Sequence, residues 1–379
     1  MAKTRTPAQL DVVVLGSHPA AHFAAALLAQ TGITTRQLCT NAPEAPDRLV
    51  LINPRLFDLH KSLAGMKRKL DLTPIYGLQF LSDEPNVRSE YSGKSIAGYI
   101  GVYEQLRSEM RKLAEKEKVP VDTADDLQIQ QPDENGLALQ IDGKTLHPRL
   151  LMLAGAISAE QRRVLGMPES WDHGVLRRYT YLTLRGKKWV PADAKPVMPM
   201  SLDLAGKLCW GWLMRGQNMI QLAVEQPLDT TQQMPPHALL KHWITVLEKQ
   251  RVLQPGAAEE SDSAVSIDLP LAGALSQEGV ANRTLLIGPA GGFYTACAEE
   301  IYPTCWSATF AVDVARKALK ERHLQDALQE YRQKWGTTLG DYLRGPQQNL
   351  RFLLPLVYRN PVMTTRLAEA ILHGKSVVR

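Results

Sequence analysis

The stretch "DVVVLGSHPAAHFAAALLAQTG" (Asp11–Gly32) decides the fold. Its apolar and mostly β-branched run Val12–Leu15 predicts a buried strand. Gly16 opens a tight turn, and Ala20–Gln30 carries small residues on every face, which suits a helix packed closely on a sheet. Gly32 stands where a helix commonly ends. The stretch therefore predicts the strand, turn and helix that begin a doubly wound α/β domain.

The turn departs from the G-x-G-x-x-G fingerprint, which holds a dinucleotide pyrophosphate at a helix N-terminus. Gly16 matches the first glycine, but the second is His18 and the third is Ala21. Alanine at the third position is compatible, whereas His18 lies where the backbone must approach the pyrophosphate. We expect His18 to fill or guard that space, while the helix N-terminus keeps free N–H groups for an anion.

His18 and His22 are one helical turn apart, a spacing that can bind a metal ion. No third ligand is near in the sequence, so no metal site is predicted. We expect His22 to lie on the helix surface, where both histidines would add positive charge if protonated.

Further nucleotide-type elements lie towards both ends of the chain. Thr34–Thr40 reads as a second parallel strand, and Leu150–Leu153 and Leu285–Ile287 as buried strands. We expect Val12–Leu15 and Leu285–Ile287 to be neighbouring parallel strands. Between them, a segment of short strands, prolines and one helix (Pro236–Gln250) predicts an insertion. The expected fold is α/β, a Rossmann-like dinucleotide-binding domain with an inserted β-rich domain and C-terminal helices; the family resemblance described below makes these an FAD/NAD(P)-binding domain and a substrate domain. The expected bounds are 8–70, 100–175 and 280–330 for the dinucleotide-binding domain, 71–99 and 176–279 for the β-rich domain, and 331–379 for the helical region.

Composition places the chain among ordinary soluble globular proteins. It has 379 residues, 44% hydrophobic and 22% charged, with a formal net charge of +5. The basic clusters at 67–69 and 185–188 are too short to predict nucleic-acid binding. Asp11, His18 and His22 interrupt the apolar stretch near the N-terminus, so no membrane crossing, which needs roughly 20 apolar residues, is predicted. The four cysteines fit no metal motif and indicate a reduced, cytoplasmic protein without disulfides.

Four segments together resemble the FAD-dependent superfamily of geranylgeranyl reductases and aromatic-ring hydroxylases, of the p-hydroxybenzoate hydroxylase type. They are "VVVLGSHPAAHFAAALLAQTG", "LLMLAGAISAEQRRVLGMPE", "LCWGWLMRGQNMIQLAVE" and "TLLIGPAGGFYTACAEEIYPTCWSA". The resemblance implies an FAD cofactor and a reductase or monooxygenase acting on a hydrophobic isoprenoid or aromatic compound. The positions that it implies for cofactor binding are Gly16, Ser17, His18, Ala20, Gly288, Ala290, Gly291 and Gly292.

The sequence departs from the family pattern at positions that would contact the cofactor. The acidic residue that ends the second strand falls at Cys39 or Thr40. Ala154 replaces the aspartate of the middle motif, and Pro289 replaces that of the late G-D motif. The late G-E-G reads Ala298–Glu300, and we expect one of its two glutamates to cap a helix or face solvent. Because each lost hydrogen bond to a buried ligand costs about 0.5–1.5 kcal/mol, these changes together weaken FAD binding.

Trp210 and Trp212 alternate on one predicted strand and therefore share a face. This face forms either the wall of a substrate cavity or ordinary core, and the resemblance favours the cavity. No side chain is predicted as a catalytic acid or base.

Two functions remain open from the sequence. The first is an FAD-linked oxidoreductase with a small hydrophobic substrate. The second is a flavoprotein-fold protein that has lost FAD and serves as a non-redox binding or interaction module. Fold-level analogy alone does not decide between them.

Overall fold

The computed structural model describes residues 10–40, 47–124, 126–130, 136–155, 157–172, 175–191, 193–228, 234–270, 279–344, 350–375 and 377. Its strands are β1 Val12–Leu15, β2 Thr35–Thr40, β3 Leu49–Ile52, β4 Thr73–Ile75, β5 Gly77–Leu81, β6 Arg88–Ser92, β7 Gly98–Val102, β8 Val121–Ala124, β9 Leu127–Ile129, β10 Leu139–Ile141, β11 Lys144–Leu146, β12 Leu150–Leu153, β13 Leu176–Arg185, β14 Met198–Ser201, β15 Trp210–Arg215, β16 Met219–Pro227, β17 Val265–Pro270, β18 Val280–Ala281 and β19 Thr284–Leu286. Its helices are α1 Pro19–Gln30, α2 Lys61–Met66, α3 Tyr103–Lys116, α4 Ala159–Val164, α5 Pro236–Lys249, α6 Ile301–Ala318, α7 Leu324–Arg344, α8 Leu350–Val357 and α9 Pro361–His373.

A six-stranded sheet forms the centre of the nucleotide-type domain, in the order β18-β19-β12-β1-β2-β8. β1 is parallel to β12 and to β2, and Val12 stands opposite Leu150 and Thr35. β12 is in turn parallel to β19. The expected adjacency of the first and last strands is wrong, because β12 lies between them. All four side chains of β12 are apolar and fully buried, which suits a strand with a neighbour on each side.

Helix α1 packs against the sheet and between α3 and α6. Its residues from Pro19 to Leu28 are buried on every side of the helix. Alanines at five of these ten positions allow the neighbouring backbones to approach closely. The alanine-rich run therefore fixes how the first turn is placed relative to the rest of the domain.

The inserted β-rich domain is a seven-stranded sheet in the order β17-β13-β16-β15-β14-β5-β6. Its neighbours are antiparallel except β14 and β5. One face packs against α5 through residues such as Leu213 and Trp243. The other face packs against α9 and the segment around Cys297, at the junction with the first domain. A small three-stranded sheet has the order β3-β7-β4, and its strand β3 contacts both β15 and α6. The α/β architecture with a β-rich insertion and C-terminal helices is thus confirmed.

Within the part of the chain that the structure describes, no helix combines the length and apolarity of a membrane span. The four cysteines, Cys39, Cys209, Cys297 and Cys305, are free thiols.

Two fingerprint glycines are required by the backbone itself. Gly16 has φ +129°, and a Cβ there would lie 2.9 Å from the amide nitrogen of Gly155. Gly288 has φ +61°, and its Cβ would lie 3.0 Å from the carbonyl oxygen of Ala154. The turns after β1, β12 and β19 approach one another so closely that both positions require glycine, whether or not a ligand is bound.

We expect Gly16→Ala to lower the free energy of unfolding, because the added methyl group meets backbone that cannot move aside. Gly32→Ala is the matched control, since Gly32 also has positive φ (+81°) but its Cβ would meet nothing within 4 Å. The control should cost roughly 1 kcal/mol from the left-handed backbone alone. Urea denaturation measures both variants, and equal losses would contradict a packing role for Gly16.

Candidate functional site

The N-terminus of α1 is capped by the chain's own histidine. The Nδ1 atom of His18 accepts a hydrogen bond from the backbone N–H of Ala20 at 3.1 Å. The carbonyl oxygen of His18 accepts from Ala21 at 2.8 Å and from His22 at 3.4 Å. Pro19 has no N–H to offer. The expected free donors at this helix start are therefore already used within the protein, which corrects the prediction made from the sequence.

His18 also faces a buried carboxylate. Because Nδ1 accepts a hydrogen bond, the ring proton belongs on Nε2. This Nε2 lies 3.5 Å from Oε2 of Glu300, and the two residues are only 6% and 2% exposed. At that distance the contact is electrostatic rather than a formed hydrogen bond.

Glu300 forms an ion pair with Arg48 through the second carboxylate oxygen. The Arg48 guanidinium carbon lies 4.2 Å from the centre of the Tyr103 ring, a cation–π distance. The Tyr103 ring lies 6.1 Å from that of His18. These four residues, His18, Arg48, Tyr103 and Glu300, form what we call the Glu300 cluster.

The cluster holds a charged pair inside the protein. Burial raises the pKa of Glu300, but the positive charge of Arg48 and the contact with His18 outweigh it and lower that pKa to about 2. Burial lowers the pKa of Arg48, and the charge of Glu300 more than reverses this, so the pKa lies above its usual value. Both groups are ionised at neutral pH.

The neighbouring Glu299 is buried to the same degree but has no cation beside it. Its Oε1 accepts a hydrogen bond from the backbone N–H of Tyr302 at 2.9 Å, which caps α6. Its Oε2 is buried with no partner among the described residues. Burial raises the pKa of Glu299 to about 8, so this carboxyl is mainly protonated at neutral pH. Glu299 is therefore the expected cap, and both glutamates are buried, each 2% exposed.

His22 lies on the buried face of α1, next to β2, rather than on the exposed surface of the helix, which corrects the sequence prediction. It is 1% exposed, and its Nδ1 lies 2.9 Å from Oε1 of Gln37. Gln37 in turn donates from Nε2 to the carbonyl oxygen of Gly16. Burial lowers the pKa of His22 to about 4, so it brings no charge to the turn at neutral pH. No group of three His, Cys, Asp or Glu in the described chain is placed to hold a metal ion.

The structure brings the two predicted glycine-rich segments together at the carboxyl ends of β1 and β19. A Cβ on Gly288 would lie 3.6 Å from Nδ1 of His18. Gly288–Gly291 forms a short 3₁₀ turn. The predicted cofactor positions Gly16, His18, Ala20, Gly288, Ala290, Gly291 and Gly292 are all buried, and Ser17 is half-buried. We call this set the cradle, and the protein's own atoms cover it.

Three positions where the family pattern has a carboxylate are close to the cradle but carry none. Cys39 is the next-to-last residue of β2, and its Sγ lies 3.8 Å from the carbonyl oxygen of Gly16. Ala154 is fully buried beside Gly288, and Pro289 is half-buried in the 3₁₀ turn. The carboxylate that is present, Glu300, already pairs with Arg48.

Two small cavities lie where the nucleotide-type domain meets the β-rich domain. One is lined by Thr295, Glu299 and Tyr342 among others, and the second by Tyr179, Glu225 and Tyr294 among others. Each has a volume of about 10 Å³. That is room for about one water molecule, whereas small-molecule pockets measure roughly 300–1,000 Å³. Neither of these two cavities would hold FAD, and the residues of the cradle are buried against the protein itself.

Both tryptophans of the predicted substrate face are buried at this junction. Trp210 is 5% exposed and Trp212 is 0% exposed. Trp212 stacks on Tyr179 with ring centres 5.5 Å apart, and Tyr179 stacks on Tyr181 at 5.1 Å. Neither tryptophan lines the two small cavities. Their burial favours the core interpretation, and the pocket role stays a prediction.

Comparison with known proteins identifies the architecture. The chain is similar to a geranylgeranyl bacteriochlorophyll reductase-like protein from Thermoplasma acidophilum, with TM-score 0.71, 14% identity, and coverage of 97% of this chain and 92% of that one. It is also similar to a probable FAD-dependent monooxygenase from Pseudomonas aeruginosa (TM-score 0.65, 17% identity, 92% and 99% coverage). A flavoprotein/dehydrogenase from Cytophaga hutchinsonii matches with TM-score 0.65, 13% identity, and 96% and 92% coverage. This chain has the FAD-dependent oxidoreductase fold.

The flavoprotein fold covers almost the whole chain at low sequence identity. The Pseudomonas monooxygenase has also been solved in complex with 2-aminobenzoylacetate. No family model and no curated protein matches the sequence. The comparisons therefore establish the fold, and the residues of this chain must carry the argument about function.

Removing either charge of the Glu300 cluster should destabilise the protein. We expect Arg48→Met or Glu300→Gln alone to cost about 3–5 kcal/mol, because each leaves an uncompensated buried charge. The double variant should cost less than the sum of the two. Urea denaturation of the four proteins measures this cycle.

The matched control is the surface pair Arg178–Asp268, whose side chains are 36% and 37% exposed at an N–O distance of 2.7 Å. Solvent screens this pair, so Arg178→Met and Asp268→Asn should each cost about 0–1 kcal/mol. Similar losses in both cycles would show that the Glu300 cluster is not a buried unit.

Glu299 should make stability depend on pH. Its pKa is about 8 in the folded state against 4.5 as the ordinary value, so its contribution is fully present below pH 4.5 and is lost as pH rises through 8. Glu299→Gln cannot ionise and should be more stable than wild type at pH 9 by roughly 4–5 kcal/mol, relative to their difference at pH 4. Urea denaturation across this range measures it, with the exposed Glu321→Gln as control. Parallel stability curves for wild type and Glu299→Gln would refute the assignment.

Proposed function

We propose that this chain keeps the FAD-dependent oxidoreductase fold without binding FAD, and serves as a non-redox binding or interaction module. The observation that carries the proposal is the Glu300 cluster. The proposed ligand class is a small hydrophobic molecule and the proposed location is the cytoplasm, as the sequence predicts.

The cluster supplies an internal anion at the place where a cofactor phosphate would be expected. A helix N-terminus attracts negative charge through its free N–H groups and its dipole. In this chain His18 takes the Ala20 N–H and sets its own Nε2 3.5 Å from the Glu300 carboxylate. A phosphate approaching the turn would meet an imidazole and, behind it, a carboxylate.

Opening the cradle has an energetic cost that FAD must overcome. Separating a buried ion pair such as Arg48–Glu300 costs about 3–5 kcal/mol, which corresponds to roughly 10²–10⁴ in a dissociation constant. The absent carboxylates at Cys39, Ala154 and Pro289 remove further hydrogen bonds to the cofactor. These losses act on one ligand and therefore add to each other.

The second candidate is an FAD-linked oxidoreductase acting on a hydrophobic isoprenoid or aromatic compound. It is supported by the similarity of fold along nearly the whole chain. The stacked rings of Tyr179, Tyr181 and Trp212 at the domain junction would suit an aromatic or isoprenoid surface. This function would require the Glu300 cluster to open and the junction to expand when FAD binds.

Absorption spectroscopy separates the two candidates. We expect the purified full-length protein to lack flavin absorption bands, and to remain without them after incubation with excess FAD and desalting. A stoichiometric flavin spectrum would overturn the proposal in favour of the oxidoreductase.

His18→Gly, treated in the same way, locates the barrier to FAD. Flavin retained by this variant and not by wild type would show that His18 is the main obstruction. Flavin retained by neither would assign the barrier to the missing carboxylates and the closed cradle, and His18→Gly/Pro289→Asp then tests the aspartate. Gly32→Ala controls for altered glycine content in the same domain.

A further inference from the structure

A cavity of about 280 Å³ lies beside the seven-stranded sheet, away from the cradle. It is lined by residues of β4, β7, β14 and β15 and by residues 190, 191 and 194–197. Its walls are mainly apolar, with Ile75, Ile100 and Leu213 among them. Its volume is near the lower end of the range for small-molecule pockets, roughly 300–1,000 Å³.

Arg215 lines this cavity at the end of β15 with most of its hydrogen-bonding capacity unused. Nη1 donates to the carbonyl oxygen of Lys195 and Nη2 to that of Val252, each at 3.2 Å. A guanidinium has five N–H donors, so these bonds use two. Nε is buried with no acceptor in the described part of the chain. None of the ion pairs found among the described residues involves Arg215, so its partners there are neutral carbonyl groups.

The second cation of the cavity differs from Arg215 in this respect. Nζ of Lys195 lies 3.0 Å from both carboxylate oxygens of Glu90. The charge of Lys195 is therefore balanced within the protein. Burial lowers the pKa of Arg215 to about 10, which still leaves it protonated at neutral pH. A largely buried cation without a carboxylate is costly, and an anionic ligand would remove that cost.

We propose that this cavity binds a small apolar monocarboxylate, with its carboxylate on Arg215 and its hydrocarbon part against Ile75, Ile100 and Leu213. The planar guanidinium offers paired N–H groups that match the two oxygens of a carboxylate. The apolar walls favour a hydrocarbon chain or ring over a second polar group. This site shares no residue with the cradle, so it stands or falls independently of FAD binding.

Isothermal titration calorimetry of the full chain with octanoate tests the site. We expect saturable binding of one octanoate per chain. Octanol has the same hydrocarbon chain without the charge, and acetate has the carboxylate without the chain. Both should bind at least ~10-fold more weakly, because each lacks one of the two interactions. Absence of saturable octanoate binding, or equal affinity for octanol, would overturn the proposal.

Substitutions in the cavity show which cation binds the carboxylate of octanoate. Arg215→Met should weaken octanoate binding at least ~10-fold. Lys195→Met is the matched control and should bind octanoate as wild type does, because the Lys195 charge is already paired with Glu90. Octanoate affinity unchanged in Arg215→Met, or reduced equally in Lys195→Met, would refute the role of Arg215.

A second variant keeps the test valid if Arg215→Met does not fold. Ala194→Trp places a large side chain in the half-buried cavity wall while Arg215 is retained. We expect it to abolish octanoate binding with little change in the unfolding temperature. Wild-type affinity in Ala194→Trp would place octanoate elsewhere and overturn the proposal. The flavin spectrum is recorded on the same samples, so that the outcome for FAD is read separately.

Discussion

The buried ion pair between Arg48 and Glu300 is the interaction on which the cofactor end of this domain depends. It joins the start of β3 to the start of α6, and through His18 it reaches the N-terminus of α1. Tyr103 brings the start of α3 into the same contact. Side chains thus hold the starts of four elements, β3, α6, α1 and α3, in one place. Because a half-removed buried pair costs far more than an exposed one, the four elements behave as one unit.

Glycine is required in this turn for two reasons, close packing of the backbone and close approach of a ligand, and the two reasons apply to different positions here. Gly16 and Gly288 are needed because backbone passes within about 3 Å of their missing side chains. At the second fingerprint position, occupied here by His18, glycine is required only where a ligand must approach the backbone. The turn G-S-H-P-A-A keeps Gly16, which the backbone requires, and has His18 where only a bound ligand would require glycine.

The order of elements was predictable from the sequence because it depends on local patterns, and the site was less so because it depends on long-range contacts. The runs at Val12–Leu15 and Leu150–Leu153 are apolar enough to indicate buried parallel strands, but no local pattern says which strand is central. Arg48 was missed because it stands in no motif and meets Glu300 only through the fold, 252 residues away. The shared face of Trp210 and Trp212 was read from alternation, which does not distinguish a cavity wall from packed core. The sequence offers one signal for this ion pair. A positively charged residue stands just before a buried strand, and two adjacent glutamates stand just before a helix.

The protonation states at the cradle have a consequence for what can approach it. At neutral pH the negative charge of Glu300 cancels the positive charge of Arg48, while Glu299 is mainly uncharged and His22 is neutral. The charges of these four groups sum to about zero, so together they add little to any long-range attraction for nucleotides or other anions. Association there would vary little with ionic strength. Shape and apolar contact, rather than the electric field, would select whatever binds.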